Sequence, residues 1–130
     1  MKCEQLDVWK KSARLSAEVY KSFAKCRDFG FKDQITRSSL SIPSNIAEGL
    51  EKASPKDQIR FLDIAKGSTA EFATQTYIAM DIGYLEKEQG KEWIRIADQL
   101  LAMLTKLQQS KQSRNFEPGM LNPKSLKETK

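Results

Sequence analysis

The sequence predicts an all-α protein, an up-down-up-down bundle of four helices. Three observations lead there. Apolar residues recur at three- and four-residue steps in four successive segments. Residues that start and stop helices fall between those segments. No strand pattern, glycine-rich phosphate loop or internal repeat interrupts them. At 130 residues the chain suits one domain that buries a core without staples.

The first helix is expected from about Leu6 to Cys26, with Trp9, Ala13, Ser16, Tyr20 and Phe23 on its core face. A second stripe, Val8, Leu15, Val19 and Cys26, lies beside that face, and a helix packed on one side of a bundle does not need it. Asp28, Phe29 and Gly30 read as a link. A second helix follows from near Lys32, burying Ile35, Ser39, Ile42 and Ile46. Pro43 is expected to kink or restart it, because the ring excludes a bond to the carbonyl four residues back. Gly49 and the Glu51-Lys52 step close it.

Ser54-Pro55-Lys56-Asp57 opens the third helix with a cap serine, a proline at the first helical position and an acid in the first turn. It runs to about Asp81 over Leu62, Ala65, Thr69, Phe72, Thr76 and Ala79, and Gly83 ends it. Gly67 in its middle costs about 1 kcal/mol against alanine. Close approach of a neighbouring helix is the expected compensation. The fourth helix, from about Lys87 to Ser110, carries Trp93, Ala97, Leu100, Leu104 and Leu107 along a bundle seam, flanked by Ile94 and Leu101 on one side and Ile96 and Met103 on the other.

The folded unit is expected to span residues 1–113. Net charge is +5, and from Ser110 onward Lys111, Arg114, Lys124, Lys127 and Lys130 outnumber Glu117 and Glu128. With Pro118, Gly119 and Pro123, residues 114–130 read as a basic, disordered tail. Cys3 and Cys26 are too few for a disulfide framework and read as a terminal thiol and a small apolar residue, which suits a reducing cytoplasm. No signal-peptide run and no membrane-length apolar segment is visible. Histidine is absent, which removes the commonest general base and metal ligand. The expectation is a cytoplasmic, non-enzymatic protein without cofactor or membrane contact.

Several segments together carry a family resemblance: Leu6-Asp7-Val8-Trp9-Lys10, Asp33-Gln34-Ile35-Thr36-Arg37-Ser38-Ser39, Ser41-Ile42-Pro43-Ser44-Asn45-Ile46-Ala47-Glu48-Gly49, Arg60-Phe61-Leu62, Ala65-Lys66-Gly67-Ser68 and Gly83-Tyr84-Leu85. In order and over about Leu6 to Leu107, the chain resembles the four-helix proteins encoded in intervening sequences of bacterial 23S ribosomal RNA genes, known as S23 ribosomal proteins. The resemblance implies a left-handed bundle that assembles into a ring-shaped homopentamer. Members are similar to the accessory variability protein of diversity-generating retroelements, a pentamer that binds nucleic acid and partners a reverse transcriptase.

Three sets of residues are candidates for function. Asn45, Glu48, Ser68, Glu71 and Gln75 are placed to face one another between the second and third helices, with Arg37 and Arg60 as partners for the acids. Paired carboxylates there admit a metal or a shared proton, and without histidine a buried hydrogen-bonded network that fixes helix register, or an intersubunit contact, is the stronger reading. Lys10, Lys11, Arg14, Lys21 and Lys25, with Lys111 and Arg114, form a basic set suited either to phosphates or to a solvated face. Trp9, Tyr20, Phe72 and Trp93 read as core, so base stacking is not expected. Val8, Leu15, Val19, Ile94, Ile96, Leu101 and Met103 exceed what one bundle buries and are candidates for a subunit interface. Two functions stay open: a nucleic-acid-binding or scaffold module built from copies of itself, and a protein adaptor, for example for a reverse transcriptase.

Overall fold

The computed structural model describes residues 1–114, with the side chains of 113 and 114 outside that description. The expected tail, and the candidate contact by Arg114, lie beyond it. Within it, a short 3-10 turn (Lys2–Gln5) precedes four α-helices: α1 (Asp7–Ser22), α2 (Phe29–Leu50), α3 (Pro55–Asp81) and α4 (Lys87–Arg114). No strand occurs among the described residues. Each helix runs against its neighbour in the chain. Ser16 meets Ser39 and Phe23 meets Phe31 between α1 and α2, while Ser38 meets Gln75 and Gly49 meets Phe61 between α2 and α3. Phe72 meets Trp93 between α3 and α4. The result is the expected up-down-up-down order.

Local chemistry explains the boundaries. The Ser54 hydroxyl accepts the Asp57 amide at 3.1 Å with Pro55 at the first position of α3, as the sequence signal indicates. Gly83, at φ 84°, takes the left-handed turn that ends the α3 region. The start of α2 differs from expectation. Asp28 is its cap, accepting the Phe31 amide at 3.1 Å, so the helix begins at Phe29 and not near Lys32. In turn α1 ends at Ser22, and Phe23 to Cys26 lie beyond it. Pro43 neither breaks nor restarts α2, which continues through it; Ile42 and Ile46 on either side are fully buried, so tertiary packing outweighs one missing amide bond.

The core holds Ile35, Ile42 and Ile46 of α2, Leu62 and Phe72 of α3, and Trp93, Leu100 and Leu104 of α4, all fully buried. On and just after α1 both stripes contribute to the core. Ser16 and Phe23 of the expected face are buried, but so are Ser12 and the second-stripe residues Val8, Leu15 and Val19, and burial takes Val8, Leu15 and Val19 out of the subunit interface expected of them. Trp9 and Ala13 are half-buried and Tyr20 is 43% exposed. The reason is packing direction: α1 faces the α2–α4 interior along the smaller, β-branched and leucine positions, and its larger aromatic side chains flank that contact. Cys3 is buried, not a loose terminal thiol, because the 3-10 turn folds onto the bundle; Cys3 and Cys26 are both unpaired. A Cβ on Gly67 would meet nothing within 4 Å, so no helix among the described residues makes the close approach expected there. No helix among the described residues is long and apolar enough to cross a membrane.

A candidate partner groove between the first and last helices

The serines of α2 build the polar layer of the bundle. Ser16 and Ser39 share a buried hydrogen bond of 3.1 Å between α1 and α2, and the Ser39 hydroxyl also lies 2.9 Å from the Thr36 carbonyl. Ser38 donates to Gln75 Oε1 at 2.6 Å and Ser41 pairs with Ser68 at 2.7 Å, which ties α2 to α3. Asn45 Nδ2 donates to the Ser41 carbonyl at 2.8 Å and lies 2.9 Å from its hydroxyl. Of the expected network, Asn45 and Ser68 therefore meet at Ser41, while Gln75 bonds Ser38 separately.

The charged members of that set do not join them. Glu48 is exposed and lies 3.9 Å from Lys52, while Arg37 pairs with Asp33 at 3.0 Å and Arg60 approaches Asp57 at 3.9 Å, each within its own helix. Glu71 is exposed and lines a surface depression with Arg37, Ser38 and Ser41. Water solvates these ends better than a helix interface does, so the arginines satisfy neighbours one turn away. No cluster of three or more potential metal ligands occurs among the described residues. Ser16, Ser38, Ser39 and Ser41 carry most of the bonds; the crowding of the last three in the Ser38-Ser39-Leu40-Ser41 run was the signal that they act as a group.

Two candidate sets that look separate in the sequence meet in one place. A groove of about 450 Å³ between α1 and α4 has Leu15, Ile96 and Met103 at its base and Lys10, Lys11, Arg14 and Arg95 along its sides. Asp7, Glu18 and Glu92 stand among those cations, so the groove is mixed in sign. Arg95 bonds Glu92 through two nitrogens; this bond first, then the charges of Arg95 and Lys11, holds the Glu92 carboxyl below its ordinary range. Glu18 accepts the Trp93 indole N–H at 3.3 Å. At the α4 C-terminal end a second depression of about 400 Å³, lined by Leu6, Val8, Met103, Lys106 and Leu107, shares Asp7 and Met103 with the first. Ile94 and Leu101 are half-buried on α4. Lys21 and Lys25 are exposed outside this groove, and Lys25 falls beyond the end of α1. Lys111, half-buried near the end of α4, does not line it either.

A second, apolar groove of about 430 Å³ lies between α1 and α2, lined by Trp9, Ala13 and Tyr20 on one side and Leu40, Pro43 and Ala47 on the other. Of the aromatic residues expected in the core, Phe23, Phe72 and Trp93 are buried, Trp9 is half-buried and Tyr20 is exposed; Phe29, Tyr77 and Tyr84, for which no burial is expected, are exposed as well. The Lys32 ammonium lies 5.8 Å from the Phe29 ring centre.

From Phe72, which lies between Ser68 and Gln75 on α3, an aromatic series runs through Trp93, Phe23 and Phe31 to Tyr84, with ring centres 5.5–6.2 Å apart. The Tyr84 hydroxyl donates to Asp28 Oδ2 at 2.8 Å and so joins the α3–α4 link to the α1–α2 link. That bond first, then the Phe31 amide, holds the Asp28 carboxyl below its ordinary range.

The chain is similar in structure to a protein of unknown function from the S23 ribosomal protein family of Bacteroides thetaiotaomicron. The two share 25% identity and a TM-score of 0.73, over 78% of this chain and 97% of that one. No curated protein matches this sequence. The model of the 23S rRNA-intervening sequence proteins matches residues 4–106, nearly the whole bundle. On that match, the chain belongs to the family of 23S rRNA-intervening sequence proteins.

Proposed function

We propose that this protein is a non-enzymatic, cytoplasmic scaffold that works as an assembly of identical bundles. The observation that carries the reading is the apolar groove between α1 and α2, where Leu40 and Tyr20 are 46% and 43% exposed. Contiguous apolar surface of this kind marks an interface. A ring needs a second, different surface on each copy, and α3 offers one. Ile64 and Ile78 are 42% and 45% exposed on the same helix face as Gly67, whose missing side chain leaves room for a close neighbour. The groove of one copy set against the α3 face of the next repeats by rotation until it closes. The left-handed twist and the five-membered ring implied by the S23 resemblance belong to this reading.

Light scattering after gel filtration tests it. The expected mass is that of about five chains, and Tyr20→Glu with Leu40→Glu lowers it to one chain while helicity is retained. A wild-type monomer at micromolar concentration overturns the proposal.

One observation favours a second reading, nucleic acid as the partner. Lys10, Arg14, Lys21 and Lys25 are all exposed on or just after α1, in a chain of net charge +5. Contact of this kind is directed at phosphates and reads sequence poorly.

A further inference from the structure

We propose that the groove between α1 and α4 is a docking site for an acidic amphipathic helix of a partner protein. The proposal does not rest on the assembly reading, which concerns other faces. The two depressions along this seam adjoin at Asp7 and Met103 and, taken together as one trough, are lined on α4 from Glu92 to Ser110. At 1.5 Å per residue that stretch is about 27 Å long, the length of a helix of about 18 residues.

Its base is set by α4, where the half-buried Ile96 and Met103 are seven residues apart; opposite them Val8 and Leu15, already buried in the core, only floor the trough. The Ile96–Met103 spacing is one that receives the side chains of a third helix between two others. Both walls are helices whose backbone amides and carbonyls are already bonded internally. An extended peptide laid on the apolar base would give up water around its own backbone without gaining partners, whereas a helix brings its hydrogen bonds with it.

The sign of the partner follows from which charges are engaged. Glu92 is held by Arg95, Glu18 takes the Trp93 N–H, and Asp7 sits in the first turn of α1, where the helix dipole favours it. Lys10, Arg14 and Lys106 make no ion pair among the described residues. The uncommitted charge is positive and stands on both rims, so the matching helix carries leucine-like residues at heptad spacing and glutamates beside them. Phosphodiester backbone is a poorer fit: three carboxylates lie in its path, and no aromatic side chain lines the trough for a base to stack on.

The test is fluorescence anisotropy of the full chain with two labelled, stapled helical peptides of about 18 residues. Both carry leucine at heptad positions a and d; one has glutamate and the other lysine at e and g. The glutamate peptide is expected to bind at least about tenfold more tightly than the lysine peptide, and Lys10→Glu with Arg14→Glu to invert that preference. Met103→Glu, with Ile96→Asp as a second variant should the first not fold by circular dichroism, weakens the glutamate peptide by about tenfold or more. Equal binding of the two peptides, or no saturable binding of either, overturns the proposal. So does displacement by single-stranded RNA with indifference to Met103→Glu, which marks the trough as a phosphate site. The assembled mass, measured on the same samples, reads the scaffold proposal separately.

Discussion

Gly49 of α2 sits so close to Phe61 of α3 that a Cβ on Gly49 would fall 2.8 Å from the Phe61 Cβ and 3.3 Å from the Gln58 carbonyl oxygen. Backbone on one side leaves little to give. Gly49→Ala is therefore expected to destabilise the protein by about 1–3 kcal/mol through overpacking. Gly67→Ala, in open space, should stabilise the dissociated chain by about 0.5–1 kcal/mol through helix propensity. Urea denaturation with unchanged m-values checks both. In the assembly, Gly67→Leu should lower the measured mass, because it fills the space left for the neighbouring copy.

The polar layer makes a second contrast. Asn45→Leu removes two bonds to Ser41 and should cost about 1 kcal/mol. Glu48→Leu removes only an exposed contact of 3.9 Å with Lys52 and should change stability by less than about 0.5 kcal/mol. Equal losses from the two variants would return Glu48 to the network.

The Asp28–Tyr84 bond gives stability a pH dependence at both extremes. The Asp28 carboxyl is held below its ordinary value, so its contribution is present above the unfolded value of about 4 and is lost as pH falls through the folded one. The Tyr84 hydroxyl is held above its ordinary value, chiefly by the bond to Asp28. Its contribution is present below about pH 10 and is lost as pH rises through the folded value. Melting temperatures across pH should show both losses in the wild type and smaller ones in Tyr84→Phe. Identical profiles would show that the bond does not form in solution.

Binding to nucleic acid, the second functional reading, should be electrostatic and tolerant of sequence. Log affinity should fall against log salt by about 0.9 per phosphate neutralised on duplex DNA, or about 0.7 on single strands. Reversal of Lys10 and Arg14 should weaken all sequences alike, and deletion of residues 114–130 should cost less, since mobile charges lose entropy on docking. No binding at low salt to labelled RNA or DNA excludes the reading.

Periodicity alone determined the four helices and most of their buried faces. On α2, α3 and α4 one face collects the large apolar residues, with small serines and threonines between them on α2 and α3, so Ile35, Ile42, Leu62, Phe72, Trp93 and Leu100 had one direction in which to be buried. The Ser54-Pro55 start and the Gly83 end were legible because cap chemistry is local. Helix α1 carries two adjacent stripes of similar strength, and only the angle at which it meets α2 and α4 decided that Val8, Leu15 and Val19 go inside while Tyr20 stays out. The same angle opened the trough where Lys10 and Arg14 meet Ile96 and Met103, residues more than 80 positions apart in the chain. The polar set was legible as a group but not as bonds. A short serine hydroxyl reaches only what tertiary packing brings within about 3 Å, while Glu48, Arg37 and Arg60 are long enough to return to water or to a neighbour one turn away.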